Sequence, residues 1–260
     1  MKIDLHVHTN VSPCSNISLS DAVKIAIKNN VKAIAVCNHN KPMFFEDVQE
    51  LSYELNKELD IQINPEKRTD NEFYIIPGVE FSSEYGHIIG LFLQKCDFKD
   101  NDDIFSFIKN CNGIIGIAHP FQKTNDYKKR SSELLKISDK IDFVETHSSR
   151  ANYKNKKANS MAKLFAKENN LYITAGSDAH FVCEIGNSFM EIPDNFDGIN
   201  GIKHAILDGK NSFHSQNSKR TFIAESQIIK NKKNNKVSIK TYLFYLYCLI
   251  RDLGDKICQK

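Results

Sequence analysis

MKIDLHVHTN, residues 1–10, is the stretch from which the rest of the sequence can be interpreted. Side chains alternate between the two faces of a β-strand, so Asp4, His6 and His8 share one face while the apolar residues between them share the other. An opening strand with two imidazoles and a carboxylate on one face predicts a ligand site there, provided that later strands contribute to it.

The composition predicts a folded protein with one main domain. The 260 residues are 41% hydrophobic and 26% charged, which is not a disordered composition. Polar residues interrupt the apolar opening, so we expect no signal peptide and a cytoplasmic protein. Seven cysteines are scattered without a Cys-x-x-Cys pair, which indicates free thiols rather than a disulfide framework.

Apolar runs alternate with helix-like segments over most of the chain. In SLSDAVKIAIKNN (18–30), for example, Ser18 is a candidate helix N-cap. This alternation predicts parallel βα units, which can form a barrel or a doubly wound sheet. Nearly every apolar run ends in an ionisable residue, and a barrel delivers such residues to one common mouth. A doubly wound sheet would concentrate them at one switch point, and no glycine-rich phosphate loop supports that alternative.

The C-terminal part of the chain has a different character. Residues 203–260 hold 12 of the 35 Lys and Arg residues but only 4 of the 32 Asp and Glu residues. Such a segment can bind nucleic acid, although a run such as IIKNKKNNKV (228–237) is more typical of a solvated turn. The apolar stretch YLFYLYCLI (242–250) is shorter than the ~20 residues of a membrane span. We therefore expect no membrane partner, and a helix that packs on the barrel or on a second copy in a homo-oligomer.

Histidines and carboxylates accumulate at the predicted strand ends. Seven of the nine histidines precede Phe181, and Glu80 and Asp178 also end apolar runs. Imidazole and carboxylate are ligands for zinc, manganese and iron, so the pattern predicts a metal site.

Six motifs resemble, in order, those of the polymerase and histidinol phosphatase (PHP) superfamily. They are DLHVHT (4–9), HN (39–40), GVEFSS (78–83), HIIG (87–90), AHPF (118–121) and AGSDAH (175–180). The resemblance spans about residues 1–210 and implies an α/β fold, a distorted (β/α)7 barrel. Residues 211–260 would then form a basic, helical C-terminal extension that packs on the barrel or on a partner.

The resemblance also implies a set of metal ligands. His6, His8 and Asp178 would hold one divalent ion, and Glu80 would bridge it to a second ion that is bound by His87 and His119; His39 and His180 would bind a third. A carboxylate has two oxygens to share between two cations, and two cations about 4 Å apart can hold a hydroxide between them. The expected cofactors are therefore two or three ions of manganese, zinc or iron.

The sequence departs from the family pattern near the third site. SPCS (12–15) places Pro13 where the family often has an aspartate, and Cys14 is either a substitute ligand or a structural thiol. Asn38 replaces the usual acidic residue before His39. The occupancy of the third site is therefore left open.

Further candidates lie around the predicted ligands. In VETHSSR (144–150), Glu145 is expected to support the metal ligands, as are Asp4 and Asn38. Arg150 would clamp a phosphate or form a surface ion pair, and His147 would protonate the leaving group or act only as a supporting hydrogen-bond partner. Glu80, His147 and Arg150 are the predicted catalytic residues.

The expected function is hydrolysis of a phosphate ester by a hydroxide held between two metal ions. The substrate would be a phosphorylated small molecule, a nucleotide or a nucleic-acid end. One alternative is a metal-binding PHP module without catalysis. Another is an amidohydrolase-type hydrolase, which would carry a bridging carboxylated lysine, or its substitute, on the fourth strand.

Overall fold

The computed structural model describes residues 1–96, 103–194 and 196–258, with side chains up to residue 255. The strands are β1 (Lys2–Val7), β2 (Ala33–Val36), β3 (Gln62–Ile63), β4 (Glu72–Ser83), β5 (Gly86–Leu91), β6 (Ile114–Ala118), β7 (Phe143–Ser148), β8 (Tyr172–Gly176), β9 (Ser188–Glu191) and β10 (Ser212–Ser215). The helices are α1 (Leu19–Lys28), α2 (Phe45–Leu59), α3 (Ile104–Asn110), α4 (Tyr127–Leu134), α5 (Ala158–Glu168), α6 (Gly198–Leu207), α7 (Arg220–Lys233) and α8 (Ile239–Cys258).

One sheet curves into a nearly closed barrel. Its strand order is β10-β9-β1-β2-β4-β5-β6-β7-β8, and β3 pairs with β4. Val7 at the end of β1 forms a parallel bridge with Ala179, just after β8, so the first and last strands of the barrel meet. The expected fold class, an α/β barrel with a C-terminal helical extension, is confirmed.

The expectation of parallel βα units is wrong for β9, which runs antiparallel to β1 and β10, and for β5. β4 ends at Ser83 and β5 begins at Gly86, and this two-residue connection leaves no room for a crossover helix. Gly86 has a φ of 103°, which suits glycine at a tight turn. As a result β5 runs antiparallel to both β4 and β6.

The core follows the alternation of side chains along the strands. In β2, Ala33 and Ala35 pack in one buried cluster with β1, whereas Ile34 and Val36 pack in another with α1. The N-cap prediction for α1 is confirmed, because the hydroxyl of Ser18 accepts a hydrogen bond from the backbone N–H of Asp21.

The structure contradicts the prediction of free thiols for two cysteines. Cys96 and Cys111 form a disulfide, so the prediction of seven free thiols is wrong for this pair. The partners are 15 residues apart, a spacing that carries no motif, so the pairing depends on how α3 returns the chain to β6. Cys14, Cys37 and Cys248 are buried thiols and Cys183 is an exposed one.

The C-terminal segment forms a short strand and two helices. β10 pairs antiparallel with β9, and α7 and α8 follow. The run 228–237 is not mainly a turn as predicted, because α7 continues to Lys233. None of the helices in the described part of the chain has the length and apolar character needed to cross a membrane.

Candidate metal centre

Eight predicted ligands meet at one mouth of the barrel. They come from β1 and its end (His6, His8), the loop after β2 (His39), β4 (Glu80), β5 (His87), the end of β6 (His119) and the loop after β8 (Asp178, His180). His87 reaches this mouth because β5 is antiparallel, so its first residues lie where the other strands end. The eight side chains form four overlapping groups whose ligand atoms lie within 4.8 Å of one another.

The first group is His6, His8 and Asp178. The Nε2 atoms of the two histidines lie 3.1 Å apart, and His8 Nε2 lies 3.2 Å from Asp178 Oδ1. Glu80 Oε1 lies 3.6 Å from His6 Nε2. All four side chains are buried and present their ligand atoms to the same small space.

Glu80 is shared between this group and its neighbours. Its Oε1 lies 2.6 Å from His87 Nδ1 and 3.3 Å from His119 Nε2. Its Oε2 lies 2.7 Å from His39 Nδ1 and 3.6 Å from His8 Nε2. One carboxylate therefore faces ligand groups on two sides, which is the placement that a bridging ligand requires.

The group that contains the ligands predicted for the third ion is His8, His39 and His180. The side chain of Cys14 is buried and makes a hydrogen bond with His39, and Pro13 and Cys14 line the same pocket. Burial alone would lower the pKa of His39, but the contacts with Cys14 and Glu80 raise it to about 10. The thiol thus lies beside the third ligand group at the position where the sequence departs from the family.

The electrostatics of the centre favour anionic carboxylates. Burial alone would raise the pKa values of Glu80 and Asp178, but nearby histidines, chiefly His87 and His6 for Glu80, hold both well below their usual range. Burial lowers the pKa of His8 to about 4, which keeps its imidazole neutral. The anionic carboxylates and the neutral His8 are in protonation states that bind metal ions, whereas His39, with its raised pKa, has to lose a proton before it can bind one.

One orphaned atom shows that these residues fit a metal ion. Glu80 Oε2 is buried and has no hydrogen-bond partner, since His39 Nδ1 approaches it outside hydrogen-bond geometry. The imidazole of His39 lies 2.7 Å from this oxygen, but without a hydrogen bond the oxygen still carries part of its desolvation cost. A divalent ion among the imidazole and carboxylate donors would remove that cost.

Glu145 fixes the orientation of one ligand. Its Oε1 lies 2.9 Å from His6 Nδ1, and its Oε2 accepts a 3.0 Å hydrogen bond from the backbone N–H of His119. A proton on Nδ1 of His6 leaves Nε2 with its lone pair directed at the ligand group.

Asn38 and Ser12 connect two loops of the centre. Asn38 Oδ1 accepts hydrogen bonds from the Thr9 backbone and from Ser12 Oγ. Ser12 Oγ also lies 3.2 Å from His8 Nδ1 and accepts from the His39 backbone. Sequence reasoning missed Ser12, because a serine next to a motif carries no signal of its own.

Asp4 acts on the backbone of the ligand loop. Its carboxylate accepts hydrogen bonds from the N–H groups of Ser177, Gly186 and His6, and burial raises its pKa to about 6. Asp178, next to Ser177, has a φ of 54°, a left-handed conformation that is uncommon for a residue with a side chain. Asp4 therefore helps to hold a strained ligand loop in place.

Arg150 is buried near the pocket and bound to another residue. Its guanidinium donates to both carboxylate oxygens of Glu184 and, over 3.1 Å, to Ser226 Oγ. Glu184 also accepts a hydrogen bond from the backbone N–H of His180. The side chain lines the pocket, but most of its donors serve this internal network.

His147 is not brought to the ligand groups. Its ring stacks on Phe213 of β10 at 4.9 Å between centroids, and its Nδ1 lies 2.8 Å from Thr146 Oγ1. The register of β7 against β8 shifts between Glu145 and His147, so the strict alternation that predicts a shared face fails there.

A pocket of about 630 Å³ opens above the ligands. The barrel contributes Lys123, Tyr153 and Lys154 to its wall, and α7 and α8 contribute a second set, Ile223, Ser226, Gln227, Lys230 and Phe244. Lys233 of α7 also donates to the backbone of Ser15 in the loop after β1. Sequence reasoning missed these contributions, because no local motif shows that the C-terminal helices pack beside the barrel mouth.

Comparisons with known proteins confirm the resemblance to the PHP superfamily. Residues 156–211 match the family model described as PHP-associated. The chain is also 29% identical over 203 residues to an uncharacterised protein of Methanocaldococcus jannaschii, which covers 75% of this chain and 71% of that protein.

Three solved structures share the fold. A Bifidobacterium adolescentis protein assigned as a metal-dependent phosphoesterase has a TM-score of 0.52 and 12% identity, over 80% of this chain and 96% of that one. An amidohydrolase of Chromobacterium violaceum has a TM-score of 0.53 and 14% identity, over 74% and 92%. The lesion-specific endonuclease PfuEndoQ of Pyrococcus furiosus has a TM-score of 0.52 and 18% identity, over 82% of this chain but 57% of that one. At these low identities the likenesses show a shared fold.

Proposed function

We propose that this chain is a metal-dependent phosphoesterase. The observation that carries the proposal is the position of Glu80, whose two oxygens lie close to different imidazoles, Oε1 to His87 and Oε2 to His39, at a pocket with cationic walls. When bound there, divalent ions supply Lewis-acid stabilisation of the phosphoryl oxygens and lower the pKa of water.

In this proposal the chain's own residues hold and orient the reacting groups. Glu145 keeps Nε2 of His6 available as a ligand, and Glu184 anchors the backbone of His180. Arg150 is a positioning residue that acts through Glu184, in place of the phosphate clamp expected from the sequence. The proposal gives no role in proton transfer to His147, because that ring is stacked on Phe213.

The walls of the pocket favour a phosphate ester with an aromatic group. Lys123, Lys154 and Lys230 come from three different segments, and Tyr153 and Phe244 line the same pocket. Lysine ammonium groups attract phosphate, and aromatic rings stack on nucleobases. A pocket of about 630 Å³ also has the size of a small-ligand site. We therefore rank a nucleotide or a nucleic-acid end before other phosphorylated small molecules.

The amidohydrolase-type alternative has one observation in its favour, the shared fold with the Chromobacterium violaceum enzyme. That alternative calls for a carboxylated lysine or its substitute on the fourth strand. Against it, Glu80 after IIPGV and the SDAH motif (177–180) fit the phosphoesterase pattern better. A panel of amide substrates beside the phosphoester panel separates the two reactions.

The test uses the purified chain supplied with manganese or zinc. We expect hydrolysis of 4-nitrophenyl phosphate, bis(4-nitrophenyl) phosphate or short oligonucleotides, and a loss in Glu80→Gln greater than the roughly 100-fold effect of residues that only support ligands. Glu50→Gln, an exposed change on α2, is the matched control. Lys230→Ala should raise KM for phosphate substrates without changing metal affinity.

Two results would contradict the proposal. Bound metal without turnover of any phosphoester would favour a metal-binding module without catalysis. Turnover of amides alone would favour the amidohydrolase-type reaction.

A further inference from the structure

Up to Asp255, the last residue whose side chain is described, helix α8 is held against α7 by one face. Asp252 accepts hydrogen bonds from the backbone and hydroxyl of Thr221 in α7, and Arg220 donates to Asp252 as well. Thr241 and Cys248, on the same side of α8, are buried. This face is therefore committed to the helical pair that α7 and α8 form.

The opposite face of α8 is an exposed apolar stripe. Five residues spaced four, three, four and three positions apart are all at least half exposed: Ile239 (79%), Leu243 (59%), Leu246 (51%), Ile250 (61%) and Leu253 (51%). Single exposed apolar residues are common on proteins, but a contiguous row of large ones is not. The alternating spacing is the a/d repeat by which one α-helix pairs with another.

We propose that the α8 stripe, defined by these five residues, pairs with the α8 stripe of a second copy of this chain. A two-fold axis brings the same surface of both copies together, so a self-complementary stripe closes the assembly as a dimer. Apolar knobs at a/d spacing fit between those of a second such helix.

The exposed side-chain area on this face of α8 is close to the area that a stable dimer interface buries. Tyr242 and Tyr247 flank the stripe and are 48% and 55% exposed. With on the order of 100 Å² from each of these seven side chains, one copy offers roughly 700 Å², close to the ~800 Å² per partner of a stable interface.

A membrane surface is the main competing occupant. Helices that lie on membranes present a broad apolar face opposite a basic polar face. The side of α8 opposite the stripe is instead packed on α7 and carries Asp252, so it cannot form such a polar face. Because α8 lacks that polar face, the a/d row favours a helix as its partner.

The experiment measures the mass of the chain in solution by light scattering and sedimentation equilibrium. At tens of micromolar we expect twice the 29.7 kDa of one chain. Leu246→Glu places a carboxylate in the centre of the stripe, and we expect it to weaken the dimer by roughly 100-fold or more, because a charge buried without a partner is unfavourable. Lys240→Glu, on the same helix about a third of a turn away, should leave the mass unchanged.

The outcomes distinguish the occupants. Circular dichroism and metal content should match the native chain for both variants, and Ile250→Ser provides a second, milder change in the stripe. A native chain that is monomeric at 100 µM, or a dimer that Leu246→Glu and Ile250→Ser leave intact, would overturn the proposal. A monomer that sediments with vesicles of anionic phospholipid would assign the stripe to a membrane surface instead.

Discussion

Replacement of Glu145 by glutamine tests how far the metal centre depends on a residue that binds no metal itself. Glu145 accepts from two donors, His6 Nδ1 at 2.9 Å and the His119 backbone N–H at 3.0 Å. Glutamine has the same shape but one carbonyl oxygen and one NH₂ group, so it can accept from only one of these donors. The backbone N–H cannot change its role, so the amide oxygen should face His119 and the NH₂ group should face His6.

That arrangement reverses the tautomer of His6. A donor opposite Nδ1 makes this nitrogen an acceptor and moves the ring proton to Nε2, the atom directed at Glu80 and Asp178. Loss of such a supporting contact typically weakens metal binding 10–100-fold, which corresponds to about 1.4–2.7 kcal/mol. We expect Glu145→Gln to raise the metal dissociation constant by this factor.

The assay is competition for zinc or manganese between the apoprotein and a chromophoric chelator, with Glu50→Gln as the control for an exposed position. The ¹⁵N shifts of the His6 ring report the tautomer without reference to activity. An affinity within threefold of the native chain, or a ring that still carries its proton on Nδ1, would refute the reasoning.

Three further changes act on different parts of the site. Gly176→Ala would place a methyl group 2.4 Å from Cβ of His6, so we expect a loss of roughly 1–3 kcal/mol in the free energy of unfolding, measured with urea; unchanged stability would contradict the close approach. Arg150→Ala leaves the carboxylate of Glu184 buried without its partner, so we expect it to lower the free energy of unfolding by about 3–5 kcal/mol in the same assay. A decrease below about 1 kcal/mol would show that the pair is not buried in solution. Burial lowers the pKa of His147 to about 4 in the folded chain, so its contribution to stability is complete above pH 6.5 and is lost as the pH falls towards 4. His147→Asn should therefore reduce the change in the free energy of unfolding between these two pH values. Parallel plots of that free energy against pH for both proteins would contradict this prediction.

The parts of the fold that the sequence predicts are those with a short-range signal. Alternation places His6 and His8 on one face of β1, and the cap at Ser18 begins α1 as expected. The direction of β5 could not be predicted in this way. It depends on a two-residue connection to β4, whose one trace in the sequence is that no helical segment separates the two strands. That reversal is also what brings His87 to the ligands.

Short-range sequence signals do not predict the contacts of Arg150 and His147, for two physical reasons. The partner of Arg150 is Glu184, 34 residues later, and no spacing rule connects a strand end to a residue in a distant turn. For His147, a register shift in β7 interrupts the alternation of side chains after Glu145, so the direction of one residue does not give the direction of the other. Both side chains share a motif with Glu145, which does contact a ligand, so proximity in sequence was a poor guide to proximity in space.

The barrel contributes the predicted metal ligands, and the C-terminal helices contribute part of the pocket wall. This difference explains why the sequence predicts a metal site more clearly than it predicts a substrate. The predicted ligands lie at strand ends, where the barrel geometry brings them together, so each can be predicted from its own strand. The substrate pocket also includes Ser226, Lys230 and Phe244, which reach it only because α7 and α8 pack beside the mouth. If α8 is held in a dimer, the same contact that buries its stripe also steadies Phe244 at the pocket wall. Selection of a substrate would then depend on the part of the chain that has no recognisable motif.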